Sequence, residues 1–200
     1  MRRLLSLSVG GLLSLPSIPA AHAQEILTGD TRLACEAVLC LASSQRPDEC
    51  TPSVRRFFSI QHRRVADTIR GRSNFLRLCP ASDSDENMRR LVESIAAGAG
   101  RCSAQALNHT LTAPSARPSE GNGHLSNVGN VMPAYCTAYL TNPYTDLQAT
   151  RPVYVGTPER GGLWVEPEEY AQAQAAYNAR VAAEDDSNTA NRTDNNSSGF

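Results

Sequence analysis

Apolar positions fall into a run, then several helical stripes, then a short alternating stretch. The run is Leu4–Leu15, preceded by Arg2-Arg3 and followed by Pro16 and Pro19. The first stripe, Leu33, Ala37, Cys40 and Leu41, predicts a helix over 32–42 with Asp30 and Thr31 as caps. After a polar turn at 43–48, Thr51-Pro52 opens a second helix carrying Val54, Phe57, Phe58 and Ile60, since Pro suits the first helical position. A third helix over 63–78 presents Val65, Ile69, Phe75 and Leu76, with Arg63, Arg64, Arg70, Arg72 and Arg77 expected on a solvated opposite face. The other reading of those arginines is a docking patch for an acidic partner or phosphate. Cys79-Pro80 ends that helix. A fourth helix at 85–97 aligns Met88, Leu91, Val92 and Ile95, and Ser103 caps a short fifth through Leu107 to Leu111.

The texture changes at 112–130, where Pro, Gly, Ser and Asn dominate; this is an excursion loop. Order returns at Met132, Tyr135, Cys136 and Tyr139. Two strands, 152–156 and 163–166, flank the turn-rich Thr157–Gly162 and predict a β-hairpin that must lean on the helices. Pro167 opens a last helix with Tyr170, Ala173, Tyr177 and Val181 on one face, and 184–200 reads as a polar, disordered tail. The fold class is mainly α: one compact helical domain over 24–183, with a small hairpin near its C-terminus.

The apolar run is shorter than the ~20 residues a membrane span needs. With its basic start and the small residues Ala21 and Ala23, it has the order of a secretory signal, residues 1–23, cleaved after Ala23. The six cysteines, Cys35, Cys40, Cys50, Cys79, Cys102 and Cys136, all follow that point. An even count in an exported chain reads as a disulfide framework. Spacing leaves the pairing open, although the short turn between Cys40 and Cys50 favours a local bridge. Cys35 and Cys40 are five apart, so on one helix they point to different neighbours.

The formal net charge of −1 gives no global field to attract nucleic acid, and no direct nucleic-acid binding is expected. No Cys-x-x-Cys, His-Glu-x-x-His, nucleophile elbow or phosphate loop is present, so no catalytic residue, cofactor or metal ligand is assigned. His62, His109 and His124 lack ligand spacing. Glu36, Glu93, Glu159 and Glu166 are the acids a hydrolase acting on peptidoglycan would draw on, but nothing in the sequence pairs them. The most distinctive stretch is Thr157–Trp164. Its functional reading is a recognition tip in which Glu159 and Arg160 pair while Arg160 and Trp164 act as anchors; its bland reading is a hairpin that holds the fold.

Several separated stretches resemble the TrbM family of conjugal transfer proteins. They are Leu27–Ala37 with Cys40 and Cys50, Asn74–Pro80, Gly98–Cys102, Met132–Tyr139 and, most closely, Tyr154–Glu166. The resemblance runs from about Ile26 to Val181 and is interrupted at 112–130. It implies a small exported accessory protein of a plasmid conjugation apparatus of the type IV secretion class, located in the periplasm and binding other envelope components. It transfers no catalytic residue. A disulfide-rich ligand-binding or inhibitor protein is the remaining alternative to that role and to the hydrolase.

Overall fold

The computed structural model describes residues 27–113 and 127–197. The segment 1–23 read as a secretory signal and most of the stretch read as an excursion loop therefore lie outside the described residues. Helix α1, Gly29–Ala42, is the hub. It packs against α2 (Thr51–Ser59), α3 (Val65–Leu76) and α4 (Glu86–Gly98). Its buried face is made of Ala34, Ala37, Val38 and Leu41, small enough near the middle for three helices to approach. Helices α5 (Ala104–Leu111) and α6 (Ala134–Leu140) complete the helical body. Asp85 caps α4 by accepting from the Met88 N–H at 2.9 Å, and Ser103 caps α5 by accepting from Ala106 N–H at 3.2 Å. Asp30 does not cap α1; it sits in the first turn and pairs with Arg56 at 2.8 Å.

The core joins Leu41, Phe57, Leu76, Leu91, Ile95 and Leu107, all at most 2% exposed. Each such side chain contributes about 1.5–3 kcal/mol by leaving water. Three disulfides staple it: Cys35–Cys79 ties α1 to the end of the α3 segment, Cys40–Cys50 ties α1 to the start of α2, and Cys102–Cys136 ties the α4–α5 turn to α6. The local bridge and the divergent partners of Cys35 and Cys40 follow the sequence reading.

Three further expectations change. Arg72 is not on a solvated face. It is 8% exposed, with its guanidinium over the rings of Phe57 (4.8 Å) and Phe58 (5.1 Å) and its Nε–H donating to the Ile60 carbonyl at 3.3 Å. The reason is helical spacing: position 72 lies three and four residues before Phe75 and Leu76, so it shares their buried face. Burial, then the charge of Arg101, pulls its pKa below the usual arginine value.

Second, the hairpin of β3 (Val153–Val155) and β4 (Leu163–Val165) is not the only sheet. Strands β1 (Thr112–Ala113) and β2 (Asn127–Val128) pair antiparallel and close the base of the excursion loop. Third, the last helix, α7, runs Tyr170–Ser197, through the segment expected to be a disordered tail. Its first half rests on β3, and its second half gains tertiary anchors described next. Among the described residues no helix is long and apolar enough to cross a membrane.

Candidate functional site

The distinctive hairpin is built as a clasp. Strand register places Tyr154 opposite Trp164. Between the strands, residues 158–160 form a single 3-10 turn that ends on Gly161 at φ 67°, a left-handed conformation glycine adopts without a Cβ penalty. Gly156, at φ 77°, meets α7 directly: a Cβ there would lie 2.2 Å from Tyr177 Cε2. The Tyr177 hydroxyl accepts from the Thr157 N–H at 3.2 Å.

Arg160 turns onto α7. Its guanidinium grips Asp185 through two hydrogen bonds, 2.7 and 3.1 Å, reaches Glu184 at 3.3 Å, and donates to the Val181 carbonyl at 3.3 Å. Arg180 returns the contact, donating to the Arg160 carbonyl and to Glu184, each at 2.5 Å. Arg160 holds the Asp185 carboxyl below the usual carboxylate range; Arg180 first, then Arg160, does the same for Glu184. The expected Glu159–Arg160 pair is not formed, because two acids on α7 take the guanidinium instead. Glu159 stays exposed at the tip.

Trp164 points inward and is 5% exposed. Its indole N–H donates to the Gly129 carbonyl at 2.9 Å, and its ring meets Tyr154 edge-on at 5.3 Å. Its backbone N–H donates to Asn108 Oδ1, and its carbonyl accepts from Asn108 Nδ2, both at 2.8 Å. The Tyr154 hydroxyl donates to the Val128 carbonyl at 2.7 Å. The hairpin thereby links α5, the base of the excursion loop and α7. Of the three residues read as a recognition tip, Arg160 and Trp164 are committed within the chain and Glu159 faces solvent.

Below the hairpin lies a cavity of about 220 Å³ lined by Arg46, Gly100, Ser103, Tyr139 and Glu166. It gathers residues from three of the stretches singled out in the sequence: 98–102, 132–139 and 154–166. Glu166 accepts from the Ala104 N–H at 2.8 Å, adding a second cap to α5. The buried Tyr139 hydroxyl donates to the Leu41 carbonyl at 2.5 Å, and burial pushes its pKa up to about 12 against a smaller opposing pull from Arg46. Its proton is therefore retained at neutral pH. Opposite charges, Arg46 and Glu166, face this space; the arrangement suits binding of a polar group.

The other acids stand apart: Glu36 pairs with Arg32 on α1 at 3.5 Å, and Glu93 on α4 with Arg77 at 3.1 Å. His62 and His109 are exposed on separate elements, and His124 lies outside the described residues. All six cysteines are in disulfides, and among the described residues no three of His, Cys, Asp or Glu gather where they could hold a metal ion. Sequence reading missed Asn108, Arg180, Glu184 and Asp185. Of these only Arg180 and Glu184 carried a signal, their i, i+4 spacing on a helix.

No curated protein and no solved structure matches the chain. A family model described as TrbM matches residues 26–178, well over half of the chain, from just before α1 to the Tyr177 contact of the clasp. The chain therefore belongs to the TrbM family, which suggests a role related to conjugal transfer.

Proposed function

We propose that the chain is a periplasmic accessory component of a conjugative transfer apparatus of the type IV secretion class, acting by binding other envelope proteins. The family membership is the observation that carries this reading. Three disulfides support the compartment, because they form and persist in oxidising surroundings. The commitment of the hairpin's arginine and tryptophan to internal contacts supports a rigid scaffold whose outward surfaces do the binding. Deleting the gene from its plasmid and measuring transfer to recipients is the test. Transfer should fall and be restored by the gene in trans; an unchanged frequency would overturn the proposal.

A further inference from the structure

Charge is distributed unevenly along this chain. Residues 51–79 carry seven arginines and one acid, Asp67, in a chain whose formal net charge is −1. Residues 159–186 carry seven acids and two arginines. The first set lies on α2, α3 and their connection, which pack on α1 and α4; the second lies on the hairpin and α7.

Four of the seven arginines are engaged. Arg56 pairs with Asp30, Arg70 with Asp67 at 3.6 Å and Arg77 with Glu93, while Arg72 is buried over its two rings. Arg55, Arg63 and Arg64 are exposed and, among the described residues, their guanidiniums make no hydrogen bond or ion pair, although the Arg64 carbonyl accepts from Asp67 and Thr68. Arg63 and Arg64 stand at the turn between α2 and α3, followed by Val65, which is 58% exposed although it is apolar. Gln61, His62 and Ala66 around them are exposed as well. Neither guanidinium lines the cavity under the hairpin.

We propose that this turn rests on an anionic phospholipid surface, as a peripheral contact with no spanning helix. An exposed turn with free guanidiniums beside an exposed apolar side chain matches a charged bilayer interface, where arginine stays at the headgroups and valine enters the acyl boundary. A pocket for a single phosphate would instead enclose its ligand with several donors. The acidic C-terminal part is repelled by the same surface, which favours contact through the arginine-bearing turn rather than through α7. This inference does not rest on the transfer role, since it concerns the purified chain and lipid alone.

The test is flotation of the oxidised full chain with vesicles of phosphatidylcholine, and of phosphatidylcholine mixed equally with phosphatidylglycerol. Because the apolar stretch 4–15 would add affinity for either lipid while it is attached, the readout is the preference for the anionic vesicles. That preference should fall with added salt, and roughly 30-fold in Arg63→Gln/Arg64→Gln, about fivefold per guanidinium lost. Glu168→Gln/Glu169→Gln, at the acidic end, should keep the preference, which controls for general damage. No preference for anionic vesicles, or one that survives replacing all three free arginines by Gln, would overturn the proposal. So would equal binding to both vesicles together with salt-sensitive capture on immobilised polyglutamate, which would assign the patch to an acidic protein.

Discussion

Replacing Gly156 by Ala probes whether the hairpin and α7 are held as one unit. Two separable costs are expected. The left-handed backbone of residue 156 disfavours any Cβ by about 1 kcal/mol. In addition, the new methyl would overlap the Tyr177 ring, 2.2 Å from Cε2 and 2.3 Å from Cζ, so the ring must leave. Its departure forfeits the hydrogen bond from Thr157 N–H, about 1 kcal/mol, and the half-buried ring contact, about 1 kcal/mol more. Gly156→Ala alone should therefore cost about 3 kcal/mol, and in a Tyr177→Ala background only the backbone part, about 1 kcal/mol. Urea unfolding of the disulfide-intact protein reads this. With a slope of about 2 kcal/mol per molar, the midpoint should fall by about 1.5 M in the first case and about 0.5 M in the second. Equal shifts in both backgrounds would refute the ring-against-glycine account. A small shift in both would refute the backbone argument too.

Two further outcomes are expected. Substituting both cysteines of Cys35–Cys79, separated by 44 residues, should cost about 4 kcal/mol, against about 3 kcal/mol for Cys40–Cys50, separated by 10, because the longer loop is freer when unfolded; the reverse order in urea unfolding, or a different pairing in a non-reducing peptide map, would contradict the framework. Lowering the pH should release the second half of α7. Asp185 and Glu184 titrate below their ordinary range when folded, so their stabilisation is complete above the unfolded carboxylate pKa, about 4, and is lost as pH falls through the folded values. Protection factors of α7 amides beyond Val181, the observed exchange rates corrected for the intrinsic pH dependence of amide exchange, should fall over that acid window and stay constant between about pH 6 and 8; pH-independent protection across the acid window would disprove the role of the clasp.

Much of the helical body was legible because period and punctuation agree. Ser103 and Asp85 stand where a cap oxygen is needed, and the stripe of Leu91, Val92 and Ile95 points one way only. The β1–β2 pair was not legible, since two-residue strands leave no alternation to detect. Arg72 was misjudged because residue type was weighed above position, although its spacing from Phe75 and Leu76 placed it inward. Trp164 and Arg160 were identified as the distinctive residues, but the direction each faces is set by Asn108, Gly129 and Asp185, partners 56, 35 and 25 residues away. The ordered course of α7 past Ala183 has the same origin: a polar sequence is held by an arginine outside its own helix. The cavity under the hairpin arises from three distant stretches and leaves no local mark on any of them.

The nested pairing of the first four cysteines bears on how the protein is made. A chain emerging from its N-terminus exposes Cys35, Cys40 and Cys50 well before Cys79. An oxidant that joins cysteines in order of appearance would couple Cys35 to Cys40 and strand Cys50. Once α1 has formed, that error is blocked: five residues of helix rise about 7.5 Å, and Cα atoms more than about 7 Å apart cannot be bridged without moving the backbone. Winding of α1 ahead of oxidation thus keeps Cys35 in reserve for its late partner. Biogenesis of this protein becomes a race between a fourteen-residue helix and the cell's thiol oxidant.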